Sequence, residues 1–213
     1  MGLLSGDQEK NAVEVLRGGG VVAFPTDTVY GLGACAKHEL ALTRIYQIKR
    51  RPFNLALPLL LADVSDIEKV AVSVPLIGWQ LAKCFLPGGL TLVLRKAAWV
   101  SPLITAGGDT VAVRVPNHPV PRALARGLGV PIIGTSANIT GQPSPLTVAE
   151  VRCHLGNEVD FIVDGECPGG VESTVVDVTR DPPVLLREGA ISQQEIEAAC
   201  GLKLVRQAQK GKS

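Results

Sequence analysis

Hydrophobic positions along the chain follow two alternating periods. Short apolar runs at 20–24, 55–61, 91–94, 110–115, 131–135, 161–163, 174–178 and 184–187 have strand length and are bounded by Gly, Pro, Asp or Thr. Between them lie longer segments whose apolar residues recur every three or four positions. The spacing predicts helices over 7–17, 38–49, 63–70, 75–85, 119–127, 147–155 and 192–200. In the second of these, Leu42, Ile45 and Tyr46 fall on one face. Asp7 is a candidate cap for the first helix, Gly18-Gly19-Gly20 ends it, and Pro75 suits a first helical turn. Strands joined by both tight turns and helices predict an α/β class: a single-domain twisted mixed sheet with flanking helices. With no repeat and no break in composition, the domain is expected over residues 8–203. Residues 204–213, ending in QAQKGKS, are expected to be a flexible tail. So few residues after Cys200 lead us to expect a cleft open on one side.

Composition narrows the function without naming it. The 213 residues are 46% hydrophobic and 19% charged, which suits an ordered core and excludes a disordered or fibrous chain. No apolar run approaches the roughly 20 residues of a bilayer span, so no membrane association is expected. The opening MGLLSG lacks the basic and apolar regions of a signal peptide, and Gly6 stands where a myristoylation site needs Ser or Thr. The net charge of +1 and 4% aromatics argue against a dedicated nucleic-acid binder. The five cysteines form no CxxC and their odd number suits reduced thiols, so a cytoplasmic setting is expected. The three histidines are scattered, and no protein-built metal site is expected.

No P-loop, Rossmann fingerprint or nucleophile elbow is present: the glycine triplet precedes a strand, and Ser136 lies in GTSAN. What the chain offers instead is polar segments at strand ends. Residues 25–33, PTDTVYGLG, can present backbone N–H groups and hydroxyls to a ligand, or form an ordinary capped turn. Lys49, Arg50 and Arg51 follow a helix, where they are either solvated helix-end cations or a phosphate clamp stiffened by Pro52. In 110–115, alternation sends Val111, Val113 and Val115 to one face, and Thr110, Ala112 and Arg114 to the other. An Arg among valines needs an anion, either a buried carboxylate or a substrate, because an unpaired buried cation is costly. Segments 135–144, 172–177 and 185–191 add hydroxyls, glycines and Arg187. Together they predict a cationic pocket lined with hydroxyls.

These segments, in this order, resemble the YrdC/Sua5 family of threonylcarbamoyl-adenylate synthases. The matching stretches are FPTDTVYGLG at 24–33, KRRP at 49–52, LPGGLTLVL at 86–94 and TVAVRVP at 110–116. They continue with TSANITGQPS at 135–144, ESTVVD at 172–177 and LLREGAI at 185–191, so the resemblance covers about residues 8–200. It implies a twisted α/β fold with a large positively charged cavity. The implied reaction joins L-threonine, bicarbonate and ATP, with Mg²⁺, into threonylcarbamoyl-AMP and pyrophosphate. The implied partners are proteins that pass the threonylcarbamoyl group to the tRNA adenosine beside the anticodon, with weak tRNA contact at most. By the resemblance, Thr28, Arg114, Gly134 and Ser173 hold threonine. Lys49 and Arg51 meet the triphosphate as the catalytic cations, and Arg51, Thr110, Ser136, Asn138, Ser144 and Arg187 contact ATP. The chain departs from the family where Leu55 and Leu60 replace an Asn and a His, so those side-chain contacts to ATP and threonine are not available. Two other readings of the same cavity are an RNA-binding protein and a carbamoyl-adenylate-processing domain.

Overall fold

The computed structural model describes residues 6–206. Helix α1 (Gly6–Arg17) buries Ala12, Val13 and Leu16 and leads through the glycine triplet into β1 (Val22–Phe24) and β2 (Gly31–Gly33). Helix α2 (Glu39–Ile48) buries Leu42, Ile45 and Tyr46, as the spacing predicts. The long 55–61 run contributes only β3 (Leu59–Leu60), and a 3₁₀ turn then precedes α3 (Ile67–Val70). Helix α4 (Leu76–Phe85) starts after Pro75, which is its N-cap and not part of its first turn. Next come β4 (Leu90–Arg95), the short α5 (Pro102–Thr105), which the spacing does not predict, β5 (Thr110–Arg114) and α6 (Pro119–Leu128). Strands β6 (Ile132–Ile133) and β7 (Thr135–Ser136) precede α7 (Val148–Leu155), which begins with a Thr147–Glu150 capping box. The chain continues as β8 (Phe161–Ile162), β9 (Thr174–Asp177), β10 (Val184–Arg187), α8 (Gln193–Cys200) and β11 (Val205–Arg206).

The mixed α/β fold is as expected, but the strands form two sheets where one was expected. One has the order β7-β2-β1-β8, the other β11-β10-β9-β4-β5-β3-β6. The division falls inside 131–135, read above as a single strand. Ile132 and Ile133 pair with Leu60 and Leu59, whereas Thr135 and Ser136 pair with Leu32 and Gly31. Gly134 makes this step possible: a Cβ there would lie 2.2 Å from Leu60 Cγ and Cδ1. Strand β2 lies in the polar 25–33 segment, where glycine weakens the strand signal. Its glycines accommodate the Phe24 ring across the pair, since a Cβ on Gly31 would meet Phe24 Cε2 at 2.7 Å.

In the larger sheet, β4 and β5 are antiparallel, with Leu92 opposite Val113 and Leu94 opposite Val111. Leu90, Leu92, Leu94, Val111, Val113 and Val115 are buried in the main core, which sends Thr91 and Arg114 to the other face. Parallel pairing of β4 with β9 brings the 172–173 segment beside Thr91. Val205 and Arg206 pair with β10 as an edge strand, so the ordered chain runs past residue 203; residues 207–213 of the expected tail lie outside the described residues.

Candidate active site

A cleft of about 690 Å³, counting the space open to solvent, is lined from both sheets. Thr26, Thr28, Val29 and Gly31 come from the β1–β2 hairpin, and Thr135 and Ser136 from β7. Pro58, Leu60, Thr91 and Arg114 line it from in and beside β3, β4 and β5 of the larger sheet, with Glu172, Ser173 and Arg187 from in and beside β9 and β10. Arg51 reaches in from the turn after α2. Six of the polar segments singled out in the sequence thus converge on one place.

Arg114 has the anion its sequence context demanded. Its Nη2 donates to Asp27 Oδ1 at 2.6 Å, Nη1 to Thr28 Oγ1 at 3.0 Å, and Nε to Gly88 O at 2.9 Å. Both members of the ion pair are largely buried. Burial pulls the guanidinium pKa below its ordinary value, against the upward pull of Asp27. The carboxylate was the alternative left open, and it comes from within the FPTDT segment, 87 residues away in the chain. Arg187 is likewise engaged: it pairs with Glu172 and donates through Nη2 to Ser173 O at 2.8 Å. The cleft therefore has three arginines against Glu172 in its lining, with Asp27 behind Arg114. Of the three, Arg51 has its donors on backbone carbonyls only, those of Leu55 and Ala56. Burial lowers its pKa, and nearby Tyr46 and Glu172 oppose that.

Lys49 is not at the cleft surface. It is 2% exposed, and its Nζ donates to Ser136 O, to Asn138 O at 2.8 Å and to Asn138 Oδ1 at 3.3 Å. All three donors of the ammonium are spent on the 135–142 loop. Burial, reinforced by the Arg51 charge, lowers its pKa to about 8. In this structure Lys49 is a strut for the loop that carries Ser136 and Asn138. Asn138 is buried too, and its Nδ2 donates to Gln142 O.

The remaining expected residues divide. Thr28, Gly134, Ser136, Ser173, Arg51 and Arg187 line the cleft with Arg114. Ser144 lies just behind it, its Oγ donating to Glu172 Oε1 at 3.1 Å. Thr110 is not brought to the cleft. It opens β5 opposite Arg95, and four residues of strand at about 3.3 Å each separate it from Arg114. Leu60 lines the cleft as an apolar wall, while Leu55 is partly exposed and contributes its backbone carbonyl to Arg51 and Tyr46.

Sequence reasoning missed three contributors. Glu172 is one of these and lines the cleft. Burial pushes its pKa up, yet Arg187 and hydrogen bonds from Ser136 and Ser144 outweigh this and hold it below the usual carboxylate value. Thr26 organises the hairpin, donating to Val29 O at 2.7 Å and accepting from Thr28 N at 3.1 Å. Thr91 pairs with Ser173, Oγ to Oγ at 2.8 Å. Burial raises the Cys167 thiol pKa to about 11 and its Sγ accepts from Thr26 N, which disfavours the thiolate that a nucleophile needs. Among the described residues no cluster of three or more His, Cys, Asp and Glu side chains could hold a metal, and no helix is long and apolar enough to cross a membrane.

A two-sheet α/β domain with hydroxyls and arginines converging between the sheets defines a class of ligand-binding cleft, and comparison with known proteins supplies the family. A family model described as telomere recombination, covering the Sua5, YciO and YrdC proteins, matches residues 14–189. The chain belongs to this family. It is 46% identical over 196 residues to the threonylcarbamoyl-AMP synthase of Bacillus subtilis, covering 91% of this chain and 57% of that protein. Among solved structures it superposes on Pyrococcus abyssi Sua5 complexed with L-threonine with a TM-score of 0.91 and 44% identity, covering 96% of this chain and 61% of that one. With Escherichia coli YciO the TM-score is 0.81 and the identity 31%, covering 88% and 92%. The chain therefore spans about three fifths of the length of the first two of these relatives.

Proposed function

We propose that the chain is an L-threonylcarbamoyladenylate synthase, a nucleotidyltransferase that makes threonylcarbamoyl-AMP and pyrophosphate from L-threonine, bicarbonate and ATP. The observation that carries this is likeness along 91% of the chain to a protein named for that activity. The chemistry of the cleft supports it. Threonine is a zwitterion, and Arg114, which lines the cleft braced by Asp27, Thr28 and Gly88 O, keeps N–H donors beyond those three bonds that could receive its carboxylate. Arg51, with no carboxylate partner among the described residues, is the cation best able to donate to phosphate oxygens, with Arg187 and Ser136 also in the lining.

The reaction has two steps. Threonine, having lost its ammonium proton, condenses with bicarbonate to give a carbamate and water. A carbamate oxygen then attacks the α-phosphorus of ATP and pyrophosphate leaves. Neither step needs a protein nucleophile, which fits a site without one; the protein's contribution is positioning and charge neutralisation. Mg²⁺ enters this proposal with the ATP phosphates as part of the substrate. Glu172, the carboxylate that lines the cleft, is the protein group available to it. Within the same proposal the enzyme is cytoplasmic, and its product passes to threonylcarbamoyl-transfer proteins acting on tRNA, with direct tRNA contact weak.

The test is pyrophosphate release with each substrate omitted in turn. Release that needs threonine and bicarbonate together is expected. Equal release without threonine would overturn the proposal.

A further inference from the structure

The register of the larger sheet places Thr91 one step beyond the Leu92–Val113 pair, opposite Arg114 and on its face. Thr91 is 3% exposed, and it lines the cleft although no role attaches to it so far. Its Oγ1 and Ser173 Oγ are 2.8 Å apart, and either can donate to the other. Ser173 Oγ also receives a hydrogen bond from Arg187 Nη2 at 3.3 Å. The two hydroxyls carry two hydrogens, and the bond between them uses one. Among the described residues no protein acceptor takes the second.

The neighbouring hydroxyl pair is closed by the same count. Thr26 Oγ1 donates to Val29 O, so the 3.0 Å contact between Thr26 and Thr28 must use the Thr28 hydrogen. Nothing is left over there. Both residues of the Thr91–Ser173 pair line the cleft, so their spare donor is available to a bound ligand. The three arginines of the lining outnumber the Asp27 and Glu172 carboxylates paired with two of them, so an acceptor carrying negative charge is favoured there over a neutral one.

We propose that Thr91 and Ser173 act as one donor unit that binds a carboxylate-type oxygen of a substrate, with Thr91 a ligand-binding residue in its own right. This rests on the synthase reading for its two possible sources: the carboxylate of the amino acid, or bicarbonate and the carbamate formed from it. Because either hydroxyl can supply the spare hydrogen, each single variant, T91V or S173A, retains one donor, and the double variant has none.

The experiment is a double-mutant cycle on the full chain, reading the KM for threonine at saturating bicarbonate, for bicarbonate at saturating threonine, and for ATP. The expected result is a KM rise below tenfold in each single variant and of a hundredfold or more in T91V/S173A, in the threonine arm or the bicarbonate arm, which identifies the source. The ATP KM should stay within threefold, and T91S/S173A should behave like S173A. A double effect equal to the product of the singles, or a rise equal in all three arms, would overturn the proposal. Binding of threonine by calorimetry and broadening of the ¹³C-bicarbonate resonance repeat the comparison without turnover, and T91A/S173A replaces the valine variant if that does not fold. Wild-type protein that binds threonine or bicarbonate without turnover would sink the synthase reading and leave the donor unit standing. Wild-type protein that binds neither would overturn the donor unit itself.

Discussion

Replacing Arg114 with alanine separates what the ion pair with Asp27 does for the fold from what it does for a substrate. Removing the guanidinium leaves Asp27, only 14% exposed at its side chain, without the partner at 2.6 Å, and strips donors from Gly88 O and Thr28 Oγ1. Breaking one side of such a buried pair costs about 3–5 kcal/mol. That is a large part of the roughly 5–15 kcal/mol by which a domain is stable. Threonine binding should fall as well, by about 2 kcal/mol or more for a lost charge-assisted pair, or roughly thirtyfold in KM. The single variant confounds the two effects, and D27N/R114M separates them by removing both charges while keeping volume. Urea unfolding should show R114A destabilised by several kcal/mol and the double variant recovering most of that loss. In the pyrophosphate assay both variants should show the same raised threonine KM, with the ATP KM changed less than threefold. A double variant that regains threonine affinity along with stability would show that Arg114 serves only the fold. Threonine and ATP affinities falling equally would refute its placement at the amino acid.

Three further outcomes follow from the same geometry. R51A should weaken ATP more than ADP and ADP more than AMP, since Arg51 alone among the cleft arginines has no carboxylate partner; equal losses measured by calorimetry would return it to a helix-end charge. Lys49 has a folded pKa of about 8 against an ordinary value of 10.5, so the unfolded chain binds more protons between those pH values. Its contribution to stability should accordingly rise from pH 8 toward 10.5, seen as a growing difference between wild type and K49M in urea unfolding, and a flat difference would contradict the burial. Gly134→Ala would force a Cβ against Leu60 and should cost about 1–3 kcal/mol as overpacking, read by thermal unfolding, with L60A in the same chain restoring most of it.

Much of the site was legible because its residues break the local rule of their element. Arg114 among three valines announced a buried anion, though not which one, because Asp27 is brought to it by the sheet and not by sequence proximity. Lys49 could have been read better. It continues the Leu42, Ile45, Tyr46 face at helical spacing, and that face is buried, so its side chain was bound inward to the loop at 135–142. Thr91 carried a comparable signal, since it alternates with Leu90, Leu92 and Leu94 and so faces away from the core. Its pairing with Ser173 depends on the parallel register of β4 with β9, which local pattern does not encode. The second sheet escaped for a related reason. Its division hangs on Gly134 and on Gly31 and Gly33 meeting an aromatic ring, and glycine contributes no hydrophobic period to read.

Mass spectrometry of the product made from ¹³C-bicarbonate shows whether this cleft joins threonine, bicarbonate and ATP. The expected product is threonylcarbamoyl-AMP with one ¹³C at its carbamoyl carbon, formed in step with pyrophosphate and absent when threonine is withheld. Pyrophosphate formed without any labelled adenylate, or an adenylate of threonine that contains no ¹³C, would contradict it.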